Sequence, residues 1–247
     1  MEHDDVVQVF RDGIRRFAEG LSGRPLPAGT SVVGDVDRSG SSTAVAYPLG
    51  PRTVVFCDPS IESRLSDLNG ERALTVDEYA DRASLLGGEV VGRGNNRVLN
   101  GPIASSAGDL SALVLNPEAS RDLRRLETFI AACDPDDLDE AELDLAELDR
   151  HIVVLVDGDG AIAAYASGRV WTMGQRFDDI GVIVHPARRR AGLGARVVAA
   201  YVEHRRGSGA RFLYRNDVDN VASGRLAASL GFELVHTIAA VRFESPT

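Results

Sequence analysis

The stretch DDIGVIVHPARRRAGLGARVVAAYVEH, residues 178–204, decides the fold of this chain. Its apolar beginning predicts a strand over 178–185, which ends at Pro186 because proline has no N–H to offer a neighbouring strand. Three arginines and Gly192-Leu193-Gly194 then lead into a predicted helix over 190–206. N–H groups at a helix start are unpaired and lie at the positive end of the helix dipole, and glycine lets an anion approach the backbone closely. This turn is therefore predicted to bind a diphosphate.

A glycine pair after a strand also occurs in dinucleotide-binding folds. Those folds require G-x-G-x-x-G, followed by an acidic residue about 20 positions later. Here Val197 stands where the third glycine would be. The dinucleotide interpretation therefore fits this turn badly.

A second motif lies downstream of the first. It runs Asn220-Val-Ala-Ser223-x-x-Leu226-x-x-x-Leu230-Gly231-Phe232. Together with Arg189-x-x-Gly192-x-Gly194, it resembles the signature of the GNAT superfamily of N-acyltransferases, R/Q-x-x-G-x-G/A followed by N-x-x-S and L-G-F. The resemblance covers about residues 108–245. It implies an α/β (α+β) GNAT fold, a mixed central sheet flanked by helices. The strand and helix patterns of the residues before it, which the resemblance does not cover, predict an extra N-terminal α/β module.

The resemblance divides the chain into two parts. Residues 108–247 are predicted to be a GNAT acetyltransferase domain, and residues 1–104 an α/β module of unknown role. The boundary falls in a predicted linker, NGPIASSAG, at 100–108. The N-terminal part carries no glycine motif, and a degenerate GNAT-like half is the alternative interpretation of it.

Local patterns predict the remaining elements. Apolar residues at helical spacing predict a first helix over 5–18, and the Gly, Pro, Ser and Asp content of 20–42 predicts a loop. Further helices are predicted after Pro59, after Thr75 with Glu78 completing a capping box, and over 117–133, 134–149 and 220–230. Further strands are predicted over 43–49, 52–58, 89–92, 110–115, 151–157, 161–171, 212–216 and 233–243.

The resemblance implies acetyl-CoA as cosubstrate, and it implies the residues that hold it. The pantetheine arm would pair with the backbone of Val182, Ile183 and Val184, like an added strand. The diphosphate would lie on the amides of Arg189, Arg190, Ala191, Gly192, Leu193 and Gly194. Asn220 matches a cofactor-contacting asparagine of the family, and it is equally well explained as the N-cap of its helix.

Acetyl transfer to an amine requires proton transfer, because an alkylamine is mostly protonated near neutral pH. The family often carries an acid on the strand that ends at the proline, which here implies Asp178 and Asp179. Strand alternation sends their side chains to opposite faces, so one of them can face the cleft, and Asp179 is preferred. Two solvated acids at a strand start are the alternative, and Glu127 is a weaker candidate.

The sequence departs from the family pattern at one position. Many members have a tyrosine seven residues after the asparagine, as general acid for the CoA thiolate, and this chain has Ala227. A thiolate with a pKa near 8.5 can leave with little help. The acid is therefore unassigned, with Ser223, Ser229, water and, more remotely, Tyr214 as candidates.

The acidity of the chain is local. The formal net charge is −10, and nine acids with no base lie between Asp134 and Asp149, which leaves about −1 on the remainder. No nucleic-acid partner is expected, since such binding requires a basic face. The acidic segment has two interpretations, a wall of the acceptor site that attracts a cationic amine or a solvated helix face.

Composition limits the remaining classes. No apolar run approaches the roughly 18 residues of a membrane span, and the N-terminal MEHDDVVQVF lacks the features of a secretory signal. Cys57 and Cys133 form no metal-type cluster, so a reduced cytoplasmic protein without a metal is expected, as a monomer or homodimer. The expected activity is acetyl transfer from acetyl-CoA to a primary amine of a small molecule or peptide. The alternative is a catalytically weak acyl-CoA-binding sensor or regulatory protein.

Overall fold

One mixed sheet of ten strands organises the protein in this computed structural model, which describes residues 5–104, 110–143 and 151–244. The spatial order of the strands is β1-β3-β2-β10-β4-β9-β8-β7-β6-β5. The strands are β1 Gly29–Gly34, β2 Thr43–Pro48, β3 Arg52–Cys57, β4 Gly88–Leu99, β5 Ser111–Leu115, β6 Ile152–Val156, β7 Ile162–Thr172, β8 Arg176–Val184, β9 Phe212–Asp217 and β10 Phe232–Phe243. The helices are α1 Val6–Ser22, α2 Val76–Leu85, α3 Ser120–Ile130, α4 Pro135–Glu140, α5 Leu193–Arg206 and α6 Val221–Ser229.

Strand β4 joins the early and late parts of the chain. It pairs antiparallel with β10 on one side and with β9 on the other. Strand β10 in turn pairs with β2, so the segments before residue 104 share a sheet with the segments that follow. The division into 1–104 and 108–247 stays a prediction about folding units, and residues 105–109 of the expected linker lie outside the described residues.

Strands β8 and β9 diverge, and this divergence positions the site. The two strands are parallel and are paired at Asp178 with Phe212 and at Asp179 with Leu213. Beyond these pairs β8 continues to Val184 and β9 continues to Asp217. A wedge-shaped gap therefore opens in the sheet, in the direction of the Pro186 turn.

Helices cover both faces of the sheet through apolar side chains. On one face α1 buries Phe10, Ile14 and Ala18, and on the other α5 buries Val197, Tyr201 and other side chains. Each large apolar side chain that is fully buried contributes roughly 1.5–3 kcal/mol of transfer free energy. The predicted capping box is confirmed, because Thr75 Oγ1 accepts from the Glu78 amide and Glu78 accepts from the Thr75 amide.

Several sequence predictions differ from the structure. The expected loop at 20–42 contains β1, and the expected four-residue strand at 89–92 is the twelve-residue β4. The segment after Pro59 forms two short 3-10 turns instead of an α-helix. The helix expected from Pro117 begins at Ser120, because Asn116 first closes a turn by accepting from the Ala119 amide.

The acidic segment forms α4 over Pro135–Glu140, so the helix predicted over 134–149 is shorter than expected. It ends there because Glu142 has a φ of 51°, in the left-handed region. Residues 144–149 of that prediction lie outside the described residues. Among the residues that the structure describes, no helix has both the length and the apolar character needed to cross a bilayer.

Candidate functional site

The turn between β8 and α5 has the backbone that the glycine motif predicts. Gly192 caps α5 with a φ of 72°, in the left-handed region that favours glycine, and Arg190 has a φ of 65°. A Cβ on Gly194 would stand 3.1 Å from Leu226 Cδ2 and 3.5 Å from Val184 Cγ2. Glycine at 194 therefore lets α5 pack closely against both β8 and α6.

A groove of about 660 Å³ runs from this turn into the gap between β8 and β9, and we call it the turn groove. Its walls are the end of β8, the first turn of α5, one side of α6 and residues of α4. Of the residues predicted to hold the cosubstrate, it is lined by Val182, Ile183, Val184, Arg189, Arg190, Gly192, Leu193, Gly194 and Asn220. Ala191 belongs to the same turn but is not part of this lining. The structure thus brings two motifs that are distant in sequence to one groove.

The polar groups of the turn groove are partly engaged within the protein. Arg189 pairs with Asp137 on α4, and Arg190 has no acidic partner within 4 Å among the described residues. Asn220 Oδ1 accepts from the Ser223 amide at 2.9 Å, which makes it the N-cap of α6. Its Nδ2 donates to Glu140 at 2.6 and 2.8 Å, so the asparagine caps the helix and faces the groove at once.

A second cavity, of about 250 Å³, adjoins the turn groove, and we call it the carboxylate cavity. Five strands build it. Its lining includes Gly92, Arg93, Gly94 and Asn96 from β4, Ser167 and Arg169 from β7, Asp179 from β8, Asn216 and Asp217 from β9, and Ile238 and Ala240 from β10, together with Glu142 after α4. The two cavities share Glu140, Ala141, Ile180, Gly181 and Arg215. They therefore meet where β8 and β9 diverge.

Asp179 lies at this junction. Its side chain is nearly buried, and its carboxylate accepts from Arg215 Nε at 2.5 Å. Arg215 also donates to Glu142 at 2.7 Å. Burial by itself lowers the pKa of Arg215, but the charges of Asp179 and Glu142 outweigh it, so the pKa is raised. The guanidinium stays charged and holds Asp179 in place as an ion pair.

Asp178 points to the opposite face, as strand alternation requires. Its carboxylate accepts from Tyr201 Oη at 3.1 Å and from Arg205 Nε at 2.8 Å, both on α5. Burial and the Asp178 charge raise the pKa of Tyr201, which keeps its hydroxyl protonated as a donor. Asp178 lines neither cavity, and neither does Glu127. The contacts of Asp178 with Tyr201 and Arg205 fix α5 to the sheet.

The candidates for the unassigned acid are distributed unevenly. Ala227 lies on the face of α6 that packs against the core, and it is fully buried. Tyr214, Ser223 and Ser229 all line the turn groove. The Tyr214 hydroxyl lies 3.0 Å from Ser223 Oγ, whereas Ser229 donates to the Leu226 carbonyl at 2.7 Å. Burial raises the pKa of Tyr214 to about 12.

Sequence reasoning missed the contribution of β4 to the carboxylate cavity. Gly92 and Gly94 stand on one face of the strand, opposite Ala240 and Ile238 of β10. A Cβ on Gly92 would meet no atom within 4 Å. The signal was present, since glycine inside a strand often marks the close approach of a ligand or backbone.

Comparison with known proteins agrees with this geometry. The profile of the acetyltransferase (GNAT) family matches residues 107–232. A solved GNAT-family acetyltransferase from Colwellia psychrerythraea is similar at 17% identity with a TM-score of 0.52, over 77% of this chain and 76% of that one. A solved Drosophila protein is similar at 15% identity with a TM-score of 0.51, over 79% and 71% of the two chains.

A GCN5-related N-acetyltransferase from Sphaerobacter thermophilus is 16% identical with a TM-score of 0.50, and the likeness covers 69% of this chain and 57% of that one. At these identities the likeness shows the fold alone. Among curated proteins, none matches the chain.

Proposed function

Because the chain belongs to the GNAT acetyltransferase family, we propose that it transfers an acetyl group from acetyl-CoA to a primary amine held in the carboxylate cavity. One observation carries this proposal. The groove that begins at the glycine turn and the cavity that contains Asp179 meet at Ile180, Gly181 and Arg215. A donor in the first and an acceptor in the second would come together at the point where the strands diverge. A cytoplasmic location belongs to the same proposal.

The residues of the turn groove fit the chemistry of acetyl-CoA. Amides of the Arg189–Gly194 turn, at the start of α5, suit a diphosphate, and Gly192 leaves space that a side chain would fill. The backbone of β8 beyond Asp179 is not paired with β9, so it can pair with an extended amide-containing arm. When bound, acetyl-CoA supplies a thioester carbonyl that a neutral amine can attack.

Asp179 is suited to binding the amine rather than to storing its proton. Arg215 holds the carboxylate as an ion pair, which opposes its protonation. An alkylammonium has an ordinary pKa of about 10.4. Releasing the proton through water at pH 8 costs about 3 kcal/mol. We therefore assign to Asp179 the attraction and orientation of the ammonium, and to water the removal of its proton.

The carboxylate cavity favours a cationic acceptor. Its lining holds four acids and three arginines. The arginines are all paired, with Glu142, with Asp179 or with Asp77 outside the lining. Glu140 and Asp217 have no basic side chain within 4 Å among the described residues, so the unpaired charge of the lining is negative. An ammonium group offers three donors and one positive charge. A polyamine, an aminoglycoside or a basic peptide end matches this surface.

Strand β4 defines a role for the N-terminal segment. Gly92 and Gly94 have no side chains and form part of the floor of the carboxylate cavity. We infer that residues 1–104 complete the acceptor site and select the acceptor by the shape of this floor.

The test is turnover of acetyl-CoA over a panel of polyamines, aminoglycosides and basic peptides, with a matched pair of variants. Asp179→Asn should lower kcat/KM by about 100-fold with CoA affinity unchanged, because the orienting charge is lost. Asp178→Asn changes the neighbouring residue, whose side chain faces α5, and should mainly lower the free energy of unfolding. Tight CoA binding with no turnover on any amine would instead support the sensor alternative.

A further inference from the structure

Tyr214 occupies the apex of the gap between β8 and β9. It is the first residue of β9 beyond the last paired position, Leu213 opposite Asp179. Its side chain is 1% exposed, and its ring meets the Phe232 ring edge to face at 5.5 Å. Tyr214 and Ser223 both line the turn groove, and the Tyr214 hydroxyl lies 3.0 Å from Ser223 Oγ. The ring is thus fixed by packing, and its hydroxyl lies beside a serine that lines the groove.

The apex is where the reactive end of a bound donor must lie. The turn groove extends from the glycine turn at one end to Ile180, Tyr214 and Arg215 at the other. The carboxylate cavity touches the same apex through Ile180 and Arg215. An acceptor amine in the cavity can reach only this end of the groove, so the sulfur of the donor belongs near Tyr214.

We propose that the Tyr214 hydroxyl, on β9, donates a hydrogen bond to the departing sulfur in this chain, where residue 227 on α6 is alanine. The inference rests on the proposed function. Ser223 is the positioning residue, because its hydroxyl can donate to the Tyr214 oxygen while Tyr214 donates to the sulfur. Such a chain of hydroxyls strengthens each of its hydrogen bonds.

The amine nitrogen forms a bond to the acetyl carbon, the carbon–sulfur bond breaks, and its electron pair stays on sulfur as a thiolate. The proton lost from nitrogen goes through water to solvent, and the thiolate takes a proton from solvent. The pKa of Tyr214 is about 12, and that of an ordinary thiol is about 8.5, so the tyrosine keeps its proton and stabilises the thiolate by hydrogen bonding.

The decisive experiment titrates the thiol of CoA bound to the protein, followed by the ultraviolet absorbance of the thiolate. A hydrogen-bond donor to a thiolate lowers the thiol pKa, so Tyr214→Phe should raise the pKa of bound CoA by at least about one unit. Tyr79→Phe is the matched control, since Tyr79 is a fully buried tyrosine on α2 that lines neither cavity. Ser223→Ala should give an intermediate shift.

Kinetics provide the second measurement. With a turned-over amine, Tyr214→Phe should lower kcat by roughly 10- to 100-fold with little change in the KM for acetyl-CoA, as expected for a hydrogen bond to a charged group. Equal thiol pKa values in wild type and Tyr214→Phe, with CoA bound to both, would overturn the inference. Absence of turnover on every amine would refute the proposed function, while the titration would still decide the role of Tyr214.

Discussion

The turn groove and the carboxylate cavity are neighbours, yet the chain builds them differently. The groove is formed mainly by one stretch of sequence, from Ile180 to Ser229. Within this stretch, glycine, proline and asparagine determine the conformation of the backbone around them. The cavity is assembled from five strands, one of which, β4, lies about 80 residues before β8 in sequence. The comparison teaches that the proposed donor site is built by local sequence, whereas the proposed acceptor site depends on the topology of the sheet.

The largest expected effect comes from the glycine turn. Gly192→Val places a β-branched residue at a φ of 72° and fills the space that a diphosphate needs. CoA affinity, measured by calorimetry, should fall by about 100-fold. Gly207→Val at the other end of α5 is the control, since Gly207 has a φ of −64° and open space around its Cβ. Similar losses in both variants would mean that the turn acts through helix stability.

The second effect should separate the two cavities. Gly92→Leu introduces a side chain without a backbone clash, into a cavity of about 250 Å³. The KM for the acceptor should rise by about 30-fold while CoA affinity stays the same, because β4 does not line the turn groove. Gly101→Leu, also in open space but outside the cavity, should change neither value. A matching loss of CoA affinity would contradict the separation.

This contrast explains what the sequence could predict. The glycine turn and the N-cap at Asn220 follow from short-range rules, and the structure has both as expected. The opposite directions of Asp178 and Asp179 follow from strand alternation and are also observed. These features need no knowledge of which strands are neighbours.

Strands β1 and β4 show where local rules fail. Both contain glycine, and β4 also contains two asparagines, so their composition resembles that of turns. Strand β4 is nevertheless extended over twelve residues because β9 and β10 pair with it on both sides. Pairing with neighbouring strands therefore outweighs the local propensity of β4. The contribution of β4 to the carboxylate cavity was not predicted for the same reason.

A third prediction concerns pH and the strands beneath the carboxylate cavity. His236 on β10 contacts Asn96 at 3.0 Å, and burial, assisted by the charge of Arg11, lowers its pKa to about 3. The folded state therefore keeps this histidine neutral, while the unfolded state binds a proton below about pH 6.5. Stability from this site is complete above pH 6.5 and is lost as the pH falls.

Urea unfolding at pH 6.5 and pH 5 measures this term. Between these two pH values, the free energy of unfolding of the wild type should fall by about 1.5 kcal/mol more than that of His236→Gln, because the variant has no titrating group at position 236. The comparison uses only the change with pH, so any loss of packing in the variant cancels. An equal change in both proteins would show that protonation of His236 is not what limits acid stability.

The smallest expected effect tests the charge of the carboxylate cavity. Asp217→Asn removes a negative charge that has no basic partner within 4 Å among the described residues, while keeping the side-chain oxygen that accepts from the Asp219 amide at 2.7 Å. The KM for a polyamine should rise about 3- to 5-fold at low salt, and the difference should shrink as salt screens the interaction. Asp159→Asn is a matched control, because Asp159 makes the same kind of turn with the Ala161 amide outside the cavity. An effect of equal size at Asp159 would assign the attraction to the overall charge of the protein, whereas an effect confined to Asp217 would assign it to the surface that β4 and β9 build together.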